Sequence, residues 1–308
     1  MSKFAIVFPG QGSQSVGMLA ELGEQYNVVK QTFDEASDVL GYDLWALVQN
    51  GPVEDLNQTF RTQPALLTAS VAIWRVWQEL GFEQPANLAG HSLGEYSALV
   101  CAGVVEFREA VKLVELRGRL MQEAVPSGTG AMYAIIGLSD DLIAKACEEA
   151  AQDEVVSPVN YNSPGQVVIA GSKDAVERAA SLCKEAGAKR ALPLPVSVPS
   201  HCALMKPAAD KLAMALEAIE FKLPNVPVIN NVDVIAETDP EKIKDALVRQ
   251  LYSPVRWTES VELMAQQDVE KLLELGPGKV LTGLTKRIVK TLSGAAVNDV
   301  ASLEAARS

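Results

Sequence analysis

The apolar positions of this chain of 308 residues follow two periodicities that alternate along its length. Five apolar residues in a row, Phe4 to Phe8, stop at Pro9 and predict a strand covered on both faces. Residues 62–81 (TQPALLTASVAIWRVWQELG) are mostly apolar over several turns and close on Gly81, which predicts a buried helix. Residues 86–90 predict a short strand, and residues 94–103 and 107–125 predict helices. Strand–helix alternation of this kind predicts a parallel sheet with helices on its faces.

The pattern changes at a breaker-rich joint, residues 126–130 (PSGTG). A strand is expected over 131–138. A helix follows over 139–152, with Ser139 as its cap and Asp140 and Asp141 in its first turn. Strands over 155–162 and 166–171 are joined by Ser163-Pro164-Gly165, and a helix over 172–187 leads to a strand over 188–196. That order is βαββαβ, the ferredoxin-like unit. From about Ser197 the chain returns to the first body. It brings a helix, a strand over 226–232, helices over 242–252 and around 260–267, a strand over 271–276 and a last helix. The tail 293–308 is expected to be weakly structured. The predicted class is α/β. A large α/β-hydrolase-like subdomain with a parallel sheet (1–126 and 197–308) would carry an inserted ferredoxin-like small subdomain (127–196).

Composition narrows the partners. There are 27 Lys and Arg against 39 Asp and Glu, a net charge of -12, which argues against nucleic acid as the main partner. An acidic partner could still dock on a local basic patch. Cys101, Cys147, Cys183 and Cys202 form no CxxC pair and His91 and His201 are the only histidines, so no metal site is expected. A basic, apolar, small-residue leader is missing, and no apolar run is long enough to span a bilayer. A soluble, cytoplasmic protein away from membranes is expected.

The chemistry centres on Gly90-His91-Ser92-Leu93-Gly94, which fits GxSxG between a predicted strand and a predicted helix. A serine on so sharp a turn needs neighbours without side chains, and the turn aims the Leu93 amide at a developing oxyanion. The same residues would also suit a serine that only caps a helix. His91 adjoins the serine on a tight turn and should diverge from it, so His201, in a proline-containing loop, is the candidate base. No acid between Ser92 and His201 sits at an obvious strand end, which suggests that a neutral acceptor orients the histidine. Arg117 has only Leu113, Val114, Leu120 and Met121 three and four residues away, and Gly118 beside it permits close backbone approach. Near a serine nucleophile its guanidinium could grip a substrate carboxylate; otherwise it reaches solvent or an acid elsewhere.

The glycine-rich stretch after the first strand has Gly10 and Gly12, but Ser15 stands where a dinucleotide loop needs its third glycine. FPGQGSQ, TQPAL, GHSLGEYSAL, RG, NSPGQVVIAG, PSH and GPGKVL follow one another in the order seen in malonyl-CoA:acyl carrier protein transacylases. The chain resembles that family over nearly its whole length, and most of all its stand-alone bacterial members in fatty-acid synthesis. The resemblance implies ping-pong transfer of a malonyl group from CoA to the phosphopantetheine thiol of acyl carrier protein. Ser92 would be the nucleophile and His201 its base. The amides of Gln11 and Leu93 would form the oxyanion hole, and Arg117 would bind the malonyl carboxylate. It implies that the main-chain carbonyl of Gln250 orients the histidine, and that Gln63 and Asn162 line the cleft. No permanently bound cofactor is implied, with the CoA thioester as substrate.

An acidic carrier protein needs a local positive face, for which Lys189, Arg190, Lys286 and Arg287 are candidates. A monomer is the expectation. A serine hydrolase would share the elbow but leaves Arg117 and the absent acid without a role, and a non-catalytic acyl-binding module would keep only the fold. The residues before His201 (SVPSH) leave the choice between malonyl and methylmalonyl open.

Overall fold

The computed structural model describes residues 2–196 and 198–307. Among the described residues nine strands run β1 Phe4–Phe8, β2 Leu88–Gly90, β3 Gly130–Ile136, β4 Val156–Ser163, β5 Gln166–Ser172, β6 Arg190–Pro193, β7 Val228–Ile229, β8 Lys271–Leu275 and β9 Ser293–Val297. They form two sheets: a five-stranded one in the order β7-β2-β1-β8-β9, and a four-stranded one in the order β4-β5-β3-β6.

The first sheet is parallel throughout, with Val7 opposite both Ala89 and Glu274. The apolar run of β1 puts it at the centre. Ile6 and Phe8 join the cluster containing Leu66, Tyr96 and Val114, whereas Ala5 and Val7 join Trp257, Val261 and Leu284 on the opposite side. Period-two alternation therefore covers both faces with helices. The C-terminal ends of β1 and β2 lead into the loop at Gly10 and the turn at Ser92, as expected for ligand chemistry in an open parallel sheet.

The second sheet is antiparallel, and its elements come in the expected βαββαβ order. One face carries Ile135, Val167 and Ile169 against Ile143 and Val176 of the helices Asp140–Ala151 and Lys173–Glu185. The other face, with Met132, Val159, Val168 and Ala170, packs on Cys202 beside His201. The segment before the helix Trp257–Gln266 ties the sheets together: the Tyr161 amide donates to Val255 O at 3.0 Å and the Val255 amide to Val159 O at 2.8 Å.

Several expectations need correction. The tail is not weakly structured, because β9 pairs in parallel with β8 and the helix Val300–Ala306 starts in a capping box of Asp299 and Ser302. Its small residues, Gly294, Ala295 and Ala296, give little strand signal, and the β8 backbone supplies the order. The strand expected over 226–232 is only Val228–Ile229, and that over 188–196 only Arg190–Pro193. Ser139 stands at the N-cap position, but its side chain makes no capping hydrogen bond. Four helices within residues 20–56 add to the expected elements. The longest, Asn27–Leu40, buries Val29, Thr32, Phe33 and Ala36 along one stripe.

Candidate active site

Ser92 sits at the turn between β2 and the helix Gly94–Cys101 with a φ of 53°, in the left-handed region. The turn is too tight for side chains beside it. A Cβ at Gly90 would lie 1.8 Å from the Gly94 carbonyl carbon, and one at Gly94 would lie 2.1 Å from Phe8 O. The hydroxyl is thereby pushed into a cleft that Gln11, Leu93, Arg117, Met132, Asn160 and His201 help to line.

His201 brings its Nε2 within 2.8 Å of Ser92 Oγ, and its Nδ1 lies 2.7 Å from the Gln250 carbonyl oxygen. A carbonyl only accepts, so Nδ1 carries the proton and Nε2 offers its lone pair to the serine hydroxyl. The ring is 2 % exposed. Burial first, and the Arg117 charge second, pull its pKa down from 6.5 to about 3, so it is neutral near pH 7.

Arg117 is 1 % exposed, and three neutral oxygens receive its protons. Nη1 donates to Gln63 Oε1 at 2.9 Å, and Nη2 donates to Gln250 Oε1 at 3.0 Å and to Ser92 Oγ at 3.2 Å. Its guanidinium carbon lies 5.2 Å from the centre of the Tyr96 ring. Among the described residues it forms no ion pair with a carboxylate, and its Nε donates to nothing. A buried guanidinium held by neutral acceptors keeps its charge for an incoming anion. Gly118 makes this placement possible: a Cβ there would come within 2.5 Å of Phe60 Cα, so the helix Phe107–Glu123 lies almost against the start of Thr59–Glu79.

The structure brings Ser92, His201, Arg117, Gln63 and Gln250 into one hydrogen-bonded set. Gln11 and Leu93 border the same cleft, and neither amide N–H is used in the hydrogen bonds among the described residues. Asn162 is placed differently. Its Oδ1 meets His91 Nε2 at 2.8 Å, while Asn160 lines the cleft with a buried, unpaired Oδ1. Irregular pairing of β4 at Pro158/Asn160 and Tyr161/Ser163 accounts for the difference, since each bulge changes which side chains face inward.

Lys189, Arg190, Lys286 and Arg287 are exposed and are not among the residues that line the cleft. Arg190 pairs with Ile136, Ile136 with Gln166, and Gln166 Oε1 accepts from Arg287 Nη1 at 3.2 Å. Both cationic pairs therefore stand at one end of the antiparallel sheet.

Sequence reasoning missed Glu95 and Asn231. The Ser92 amide donates to Asn231 Oδ1 at 2.9 Å, and Asn231 Nδ2 donates to Gly90 O at 2.7 Å, so Asn231 braces the turn. Glu95 accepts from the Asn231 amide and from Gln250 Nε2, both at 3.0 Å. Glu95 lies inside the GHSLGEYSAL stretch, whereas Asn231 lies in none of the sequence motifs. No group of three or more metal-ligating side chains occurs among the described residues, and the four cysteines are free and buried. No helix there is long and apolar enough to cross a membrane.

Residues 5–305 match a family model described as an acyl transferase domain. The chain is 71 % identical to the malonyl CoA-acyl carrier protein transacylase of Salmonella typhimurium and 70 % identical to that of Escherichia coli K12, covering 99 % of both chains in each case. It superposes on a crystal structure of an acyl carrier protein S-malonyltransferase from Vibrio cholerae with a TM-score of 0.98 and 83 % identity, covering 99 % of this chain and 100 % of that one. It also superposes, with a TM-score of 0.99 and 72 % identity over 99 % of both chains, on a malonyl-transacylase solved in complex with a type II polyketide acyl-carrier protein. A glycine-flanked serine with a neutral histidine and a buried, unneutralised arginine thus coincides with full-length likeness, and the chain belongs to the acyl transferase domain family, among its malonyl CoA-acyl carrier protein transacylases.

Proposed function

We propose that the protein moves a malonyl group from CoA to the phosphopantetheine thiol of acyl carrier protein through a malonyl ester on Ser92. One observation carries the reading: Ser92 Oγ is held at 2.8 Å by the lone pair of a neutral His201 and at 3.2 Å by the guanidinium of Arg117. The first contact makes a nucleophile, and the second selects an acyl group that ends in a carboxylate.

In the first half-reaction the malonyl carboxylate docks on Arg117 and the thioester carbonyl sits over Ser92. The Oγ–H proton passes to His201 Nε2 as the Oγ–C bond forms. Negative charge on the carbonyl oxygen is received by the amides of Gln11 and Leu93, and the Gln250 carbonyl holds the imidazolium through Nδ1–H. Collapse breaks the C–S bond, the proton goes to the leaving sulfur, and CoA departs. In the second half-reaction the carrier thiol gives its proton to Nε2 and its sulfur attacks the ester carbonyl; collapse breaks the C–Oγ bond, and Ser92 Oγ takes the proton back from Nε2. The anion also sharpens the base. Arg117 depresses the His201 pKa, so a carboxylate that neutralises it makes His201 more basic when the thioester is in place.

Malonyl specificity and the carrier partner are supported by the relatives, which are malonyl CoA-acyl carrier protein transacylases, and by the complex formed by one of them. Carrier protein would dock at the cationic end of the antiparallel sheet, with Lys189, Arg190, Lys286 and Arg287. The protein would work in the cytoplasm as a monomer, without a permanently bound cofactor. Residues 1–126 and 197–308 would form its catalytic subdomain and 127–196 its smaller one; residues 1, 197 and 308 lie outside those described.

Intact-mass spectrometry after brief mixing with malonyl-CoA tests the covalent step. The expected result is a malonyl adduct that carrier protein discharges. Free CoA without an adduct would mean hydrolysis, and neither product would leave only an acyl-binding module.

A further inference from the structure

A carboxylate that the steps above leave unused lies beneath the reactive hydroxyl. Glu95 stands in the first turn of the helix Gly94–Cys101 and is 2 % exposed. Among the described residues no lysine or arginine forms an ion pair with it. Its Oε2 accepts from the Asn231 amide and from Gln250 Nε2, both at 3.0 Å. The same Nε2 reaches Ser92 O and Asn231 Oδ1, both at 3.1 Å.

A terminal amide turned over exchanges its donor and acceptor ends, so its surroundings must choose between two orientations. For Gln250 the choice is forced from both sides. Arg117 only donates, so Gln250 Oε1 must face it, as it does at 3.0 Å. On the other side stand three acceptors, Ser92 O, Asn231 Oδ1 and Glu95 Oε2. Burial raises the Glu95 pKa to about 7, and because the Asn231 amide also donates to Oε2, that oxygen receives from Gln250 whether or not the carboxyl holds a proton. Turned over, the amide would set its oxygen against three acceptor oxygens and its N–H groups against a guanidinium. Glu95 and Arg117 thus hold one neutral amide between them, and the carboxylate does not occupy the guanidinium itself.

With Arg117 as the carboxylate holder proposed above, we infer that Glu95 is a positioning residue, which acts through the Gln250 side chain to keep Arg117 aimed at the acyl carboxylate. Removing the Glu95 acceptor leaves Gln250 Nε2 only Ser92 O and Asn231 Oδ1, both at 3.1 Å, so the amide is held less firmly and so is the oxygen it offers to Arg117 Nη2. Discrimination between acyl groups with and without a carboxylate then falls. A glutamine at position 95 retains the function, because the Asn231 amide can only donate and keeps the new side-chain oxygen in place.

The test is the ratio of Ser92 acylation rates with malonyl-CoA and acetyl-CoA, read by quenched-flow mass spectrometry. This ratio does not depend on the fraction of active protein, so a general loss of folding leaves it unmoved. Arg117→Ala should collapse it. Glu95→Ala should lower it at least tenfold, and Glu95→Gln should bring it back to within threefold of the parent. If Arg117→Ala leaves the ratio unchanged, the assignment of Arg117 fails and this role with it. If Arg117→Ala collapses the ratio and Glu95→Ala does not, only the role of Glu95 is overturned. A loss that Glu95→Gln fails to recover also overturns it. Should Glu95→Ala not fold, Glu95→Met, which is of similar length and lacks the acceptor, replaces it against Glu95→Gln with the same criteria.

Discussion

His201 Nδ1 lies 2.7 Å from the main-chain oxygen of Gln250, in the place where a Ser-His-Asp arrangement would put a carboxylate. A carbonyl dipole fixes the tautomer without adding a negative charge. In the proposed acylation an imidazolium there would be less stabilised than beside an acid, which would keep the proton available for the leaving thiol.

Ser92→Ala should abolish the malonyl adduct and lower transfer by on the order of 10⁴-fold or more, because covalent catalysis has no second nucleophile to fall back on. Intact mass and transfer kinetics check this; a wild-type-sized adduct on the variant would place the nucleophile elsewhere.

Arg117→Ala should cost malonyl loading about 3–4 kcal/mol, roughly 10²–10³-fold in kcat/KM, the loss of two charge-assisted hydrogen bonds. Acetyl loading should change far less. Equal losses with both thioesters would remove the carboxylate-binding role.

The kcat/KM for malonyl loading, which reports the free protein, should show no acid limb at pH 6.5, because His201 there stays neutral until about pH 3. The unfolded chain takes up a proton at His201 as pH falls through 6.5 while the folded chain does not. Lowering the pH across that window therefore costs the native state stability at this residue. Urea unfolding of the parent and of His201→Gln at several pH values should show the parent losing stability relative to the variant as pH drops from 6.5.

Gly118→Ala should destabilise the fold although alanine is the better helix former. The helix preference is worth about 1 kcal/mol, but a Cβ within 2.5 Å of Phe60 Cα has only backbone to displace. Overpacking of that kind costs about 1–3 kcal/mol. The same shift moves Arg117 from Gln63, so KM for malonyl-CoA should rise along with the fall in Tm.

Lys286→Glu combined with Arg287→Glu should raise the carrier-protein KM about fivefold or more and leave malonyl loading untouched, since both residues are exposed and far from Ser92 in the hydrogen-bond network. An unchanged KM would rule this face out as the docking surface.

The parts legible in the sequence were those whose signal is local. The buried run Phe4 to Phe8, the GxSxG turn and the βαββαβ order depend on neighbours within a few residues. His201 stood out because there are only two histidines. The tail was misread because the strand Ser293–Val297 is made largely of small residues and takes its order from a strand some twenty residues earlier. Asn162 was taken as a cleft residue where Asn160 lines the cleft, because two irregularities in β4 set which side chains face inward.

By itself, then, the sequence determined the periodicities, the sharp turn at Ser92 and the residue types available for chemistry, all set by backbone sterics and side-chain identity. Only the tertiary structure decided which groups act on one another. Every residue carries a carbonyl, and nothing in its own surroundings marks that of Gln250 as the partner of His201. Nor does any local pattern join Glu95, Asn231 and Gln250. They meet because the parallel sheet brings the end of β2 beside the chain after β7, and because a buried donor or acceptor must find its partner wherever the fold delivers one.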